Sequence, residues 1–308
     1  MKKGALFCGV MVSTVIFFFS ISTILAADFH VTSGNELWAL LMDEVGANGE
    51  DDVVYLAAGT YSQEYPGYEP RGFFSCSAGG NSLTIRGEPG TSPSDVVIDA
   101  GGLGYCLKIG DISLHPSYTD LPRETIMDPE FDRPQILVSG ITFQNGDFEH
   151  DSGGLNIDAD YYAVTIRDCI IRDNASGCGN GGGLSVYSAF NLLLENNQFL
   201  DNIIRERLVY TGTPEDPVEE MRSRGGGVIV WNAWNGAVIR NNIIAGNEAE
   251  GDFSEGGGMY LAFSCGTTAH LINNTIYGNQ ASEGGGVHFT DIPSPSGTIN
   301  LYNNIIYA

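Results

Sequence analysis

Glycine clusters, each followed by an alternating apolar run, recur along the chain. Gly153-Gly154 precedes Leu155 and Ile157, and the triplets 181–183, 225–227, 256–258 and 284–286 precede Leu184/Val186, Val228/Val230, Met259/Leu261 and Val287/Phe289. The first residues after the clusters lie 29, 44, 31 and 28 positions apart. A second mark repeats between them: apolar-x-apolar, a variable residue, two polar residues, an apolar pair and a closing Asn. It spans 164–174, 192–202, 237–247 and 269–279, is begun again at 299–306, and has a weaker first copy at 138–146. Runs of period 2 are strands, and these are too short for helices. Gly and Asn tolerate the positive φ that sharp bends need. A coil of about 28 residues made of short strands and bends cannot bury its apolar face alone, but stacked on copies of itself it can.

The fold class predicted is therefore all-β: a single-stranded parallel β-helix, or solenoid. Stacking places Asn196, Asn241, Asn273 and Asn303 in one column and Asn197, Asn242, Asn274 and Asn304 in the next, where side-chain amides can bond from coil to coil. Cys169 takes the second column in its own coil. Val164/Ile166, Leu192/Leu194, Ala237/Ile239, Ala269/Leu271 and Ile299/Leu301 form the inward stripe, and Arg167, Glu195 and Arg240 an outward salt-bridge ladder. The one long interval holds a polar insertion, 203–224, that Pro214 and Pro217 mark as a loop. A second lateral loop is expected over 114–134.

The two ends read differently. Lys2-Lys3, an apolar run to Ala27 and small residues before Asp28 have the layout of a secretory signal, so residues 1–27 are expected to be a signal peptide cut after Ala26 or Ala27. An uncleaved anchor is the other reading of so long an apolar run. Residues 28–62 form the amino-terminal cap and first coil. Ser33 and Glu36 are spaced as a capping box, with Leu37, Trp38, Leu40, Leu41 and Val45 at helical spacing, so a capping helix is predicted over 34–45. The β-helix proper takes 63–308 and breaks off in mid-coil, which suggests a piece of a longer protein whose remainder holds an anchor or an activity. Five cysteines follow the signal, an odd number; Cys169 and Cys178 are the local disulfide candidate, with buried free thiols the alternative.

Composition narrows the partners. With 38 acidic against 14 basic residues the formal net charge is −24, which excludes phosphate-neutralising nucleic-acid binding. The 43% hydrophobic content excludes wholesale disorder.

The segments LAAGTY, LTIRGEPG and VVIDAGG, followed by GGG-plus-apolar repeats and FLDN, IAGN and IYGN, resemble the pectate-lyase-like superfamily of right-handed β-helices. In particular they are similar to the repeats of polymorphic outer-membrane proteins and to secreted, surface-anchored β-helix proteins. The resemblance covers 28–308; Phe199 alone matches the Phe of the Phe-x-x-Asn mark, with Ile elsewhere. It implies a right-handed helix that is exported, extracellular or on the outer membrane or cell surface, touching a membrane only through its signal or a missing carboxyl-terminal anchor. Such architectures host many activities.

Two functions follow as expectations. The first is a non-catalytic, adhesin-like or passenger scaffold that binds carbohydrate or another surface, with Trp231, Trp234, Tyr260 and His288 as ligand-binding residues. The alternative is a calcium-dependent polysaccharide lyase, or a glycoside hydrolase, acting on an acidic polysaccharide. For that reading Asp147, Glu149, Asp151, Asp158 and Asp160 supply oxygen ligands for calcium, with Arg167 and Arg172 one coil on.

Overall fold

The structure is a computed structural model that describes residues 27–46, 49–62, 74–110, 128, 130–149, 152–159, 162–177, 181–206, 208–209, 219–220, 223–263, 266–291 and 297–307. Residues 1–26 of the expected signal and most of the loop expected over 114–134 lie outside them. Among the described residues no helix is long and apolar enough to cross a membrane.

The strands stack in register and in parallel into a 14-stranded, an 8-stranded and a 4-stranded sheet. The repeat alignment is the observed register: Ile166 lies beside Leu194, Leu194 beside Ile239, and Ile239 beside Leu271. These side chains and their counterparts from the other sheets form one buried apolar column running from Val31 to Ile276. Leu301, expected in the same stripe, is 55% exposed, because among the described residues no coil packs on its far side. Two strands, Leu184–Glu195 and Val228–Arg240, run through two sides of the coil without a break. They turn at Ser188 (φ 55°) and Asn232 (φ 67°), and the register between them shifts just after this turn, between Ala189 and Asn191.

Each glycine triplet serves two purposes. Its first member takes a left-handed conformation, as at Gly225 (φ 71°) and Gly256 (φ 68°). Its third is pressed against the next coil: a Cβ on Gly227 would lie 2.7 Å from the Gly258 carbonyl oxygen.

The two Asn columns divide the work. Asn196, Asn241, Asn273 and Asn303 occupy corners at φ between 52° and 57°. Asn197, Asn242, Asn274 and Asn304 form the bonded ladder, each Nδ2 donating to the next Oδ1 at 2.9–3.1 Å. The closing Asn of each repeat builds a second buried ladder, Asn174–Asn202–Asn247–Asn279, with the same bonds at 2.9–3.0 Å. Every ladder amide also donates to a backbone carbonyl, as Asn242 does to Leu194, so a buried polar column carries no unmet donor.

Cys169 heads the first ladder as a buried free thiol; its expected disulfide partner, Cys178, lies outside the described residues. Its amide N donates to Asn197 Oδ1 at 3.0 Å and its Sγ to the Arg167 carbonyl at 3.3 Å, so the side chain points into the coil. Burial pushes its thiol pKa up to about 12, as it does for Cys76 and Cys106.

The capping helix spans Gly34–Asp43 and buries Leu37, Leu40 and Leu41. Ser33 Oγ accepts from Glu36 N at 3.3 Å, while the Glu36 carboxylate reaches back to Thr32 N and Thr32 Oγ1 at 2.8 Å. A strand, Ala27–Val31, precedes the helix and pairs with Asp52–Leu56, so the first coil begins ahead of the capping helix. The insertion is not all loop: Leu208–Val209 and Glu219–Glu220 pair antiparallel within it. In the outward charged column Arg240 Nε meets Glu195 Oε1 at 2.7 Å, whereas Arg167 turns to its neighbour Asp168 at 3.6 Å.

Candidate functional site

The densest chemistry among the described residues lies where the glycine triplets stack. The residue just before each triplet and the second residue after it form two neighbouring columns on the outer face. In the first, Arg224 bridges in parallel to Glu255 and Glu255 to Glu283. In the second, strand pairing aligns Ser185, Ile229, Tyr260 and His288. The left-handed glycine that opens each triplet folds the preceding residue back onto the face; a Cβ on Gly284 would lie 2.9 Å from that of His288.

The rings of the second column stack. Tyr260 and His288 lie 5.4 Å apart at 9°, and Trp231 lies 6.2 Å from Tyr260 at 23°. Trp231 belongs to the adjacent column, where its partner on the next coil is the small Ala262, which leaves room for the indole to lean across. Ile229, Tyr260 and Ala262 thus make a small buried apolar cluster separate from the main core, with Trp231 half-buried against it. The Arg224 guanidinium sits 5.7 Å from the Trp231 ring centre and 5.3 Å from that of Tyr260, a cation–π arrangement. Its Nε meets Glu255 Oε2 at 2.9 Å. His288 Nε2 is 3.1 Å from Thr290 Oγ1.

Of the residues expected to bind a ligand, Trp231, Tyr260 and His288 are therefore brought together. Tyr260 is only 2% exposed, so ligand contact would fall to its two neighbours. Trp234 lies past the bend at Asn232, where its carbonyl accepts from Thr267 Oγ1 at 3.4 Å. Arg224, Glu255 and Glu283 were not singled out from the sequence. The signal was present: each stands immediately before a glycine triplet, so aligning the triplets stacks them.

Of the residues expected to hold calcium, Asp147, Glu149 and Asp158 are described. Asp147 is in a strand of the 4-stranded sheet and is bonded by Arg205 Nη1 at 2.8 Å. It lines an open groove of about 440 Å³ together with Asn145, Asp173 and Arg205. Glu149 is exposed just beyond that strand. Asp158 sits in the 14-stranded sheet beside Tyr187. Asp151 and Asp160 lie outside the described residues. The described group with metal-ligand spacing is instead Glu255, Glu283 and His288, whose ligating atoms all lie within 4.8 Å of one another.

Comparison with known proteins gives a family and little more. The family model described as right handed beta helix region matches residues 139–308, more than half of the chain. No curated protein matches. A solved structure, a mannuronic acid specific polysaccharide family 6 lyase from human gut microbiota, aligns at 15% identity with a TM-score of 0.36. The alignment covers 91% of this chain and 64% of that one.

Proposed function

We propose that this chain, which belongs to the right-handed β-helix family, is an exported, surface-displayed scaffold that binds carbohydrate without turning it over. One observation carries the reading: the column Trp231–Tyr260–His288 standing beside Arg224, Glu255 and Glu283 on one outer face. Aromatic surface receives the C–H faces of a sugar, and the Arg224 guanidinium with the exposed Glu283 carboxylate receives its hydroxyls. Trp231 and His288 make the apolar contact, because the Tyr260 ring lies between theirs. Rigid coils hold these groups at fixed spacing, so little ordering is needed on binding. The export half of the proposal rests on the basic start and apolar run at the amino terminus.

The test is a panel of neutral and acidic polysaccharides titrated into the full chain, with products monitored in the same samples. Saturable binding, weakened about ten-fold or more by Trp231→Ala with no new reducing or unsaturated ends, is the expected result. Appearance of either kind of end would replace this reading with a lyase or hydrolase. Failure to bind any member of the panel would overturn it.

A further inference from the structure

Glu255, Glu283 and His288 converge from two coils. Glu255 and Glu283 are bridged neighbours at the triplet corner, and His288 stands on the strand that pairs with Met259–Phe263. Their environments differ in a graded way. Glu255 is 5% exposed and held by Arg224, His288 is half-buried, and Glu283 reaches into solvent. The His288 ring is oriented by stacking on Tyr260 and by its contact with Thr290, which fixes where its nitrogens can point. The three ligating atoms, all within 4.8 Å of one another, enclose a gap of ionic size.

The geometry points to a divalent transition-metal site made by Glu255, Glu283 and His288. Bonds of about 2.0–2.2 Å set neighbouring ligand atoms roughly 3–3.5 Å apart, and the exposed, flexible Glu283 can swing inward by the difference. One imidazole with two carboxylates suits zinc or a similar ion; calcium and magnesium take oxygen alone. A buried carboxylate already fixed by a guanidinium, and an imidazole backed by a hydroxyl, are the outer-sphere supports that orient metal ligands. An ion here would join two successive coils at their glycine corner. The inference concerns the same face as carbohydrate binding but does not rest on it.

The experiment titrates chelator-stripped full chain with zinc, and separately with calcium, by calorimetry in the absence of any glycan. One zinc per chain is expected, with calcium much weaker. His288→Ala and Glu283→Gln each weaken zinc binding about ten-fold or more, and Thr290→Val by about ten-fold. Glu283→Gln changes an exposed side chain without altering its shape, so a folded circular-dichroism spectrum accompanies the loss. Absence of saturable one-to-one zinc binding would overturn the assignment. So would zinc binding that neither His288→Ala nor Glu283→Gln weakens, or tighter binding of calcium than of zinc.

Discussion

At the scale of single residues, the two Asn columns look alike in sequence and differ in energy. Asn242 accepts from both Asn197 N and Asn197 Nδ2 and itself donates to Asn274 and to Leu194, all while 1% exposed. Asn242→Ala strands those buried groups and should lower unfolding free energy by about 3 kcal/mol, read from urea denaturation. Asn241→Ala, at an exposed corner with φ 57° and only a long 3.4 Å bond from Asn273 Nδ2 to its Oδ1, should cost about 1–2 kcal/mol, mostly from left-handed backbone. Asp99 offers a pH readout. Burial raises its carboxyl pKa, but donors from Gln144, Asn145 and Gly101 outweigh that and hold it below the ordinary value. A depressed folded-state pKa adds stability above the unfolded value near 3.9 and forfeits it as pH falls through the folded one. The melting-temperature gap between wild type and Asp99→Asn should therefore narrow as pH is lowered below about 4.

At the scale of elements, what was legible in the sequence was whatever repeats. Period-2 runs gave the strands, the spacing of Asn241 and Asn273 gave the register, and Ser33 with the leucines after it gave the capping helix. What escaped was either unrepeated or ambiguous in kind. The strand Ala27–Val31 abuts the signal-like run, whose small residues read as a cleavage site. Cys169 reads equally as half of a disulfide or as a ladder member, and only its inward direction decides. The candidate site was half legible: its rings are conspicuous residues, but Glu255 and Glu283 are acidic side chains in bends until the corner is folded. The glycine corners make a sharp prediction. Gly227→Ala brings a Cβ to 2.7 Å from a backbone oxygen and to 2.9 Å from Asn247, so it should fold poorly or melt markedly lower. Gly59→Ala meets nothing within 4 Å and should be close to neutral in the same thermal scan.

At the scale of the whole molecule, a formal charge of −24 is carried by a scaffold that stacks Glu283 on Glu255 at strand spacing. Self-repulsion of that size is screened by salt, so the melting temperature should rise with added sodium chloride over the range in which the Debye length shrinks from about 10 Å to 3 Å. A flat response would mean that charge is already balanced within columns, as Arg240 and Glu195 balance each other. The bond from Asn174 to Asn202 links residues 28 apart and that from Asn202 to Asn247 links residues 45 apart, yet both are 2.9–3.0 Å long. The frame is thus indifferent to how much chain leaves and re-enters between two rungs. Foreign peptide grafted between Arg205 and Ser223 should therefore leave the Asn202–Asn247 bond, and the column beneath it, unchanged.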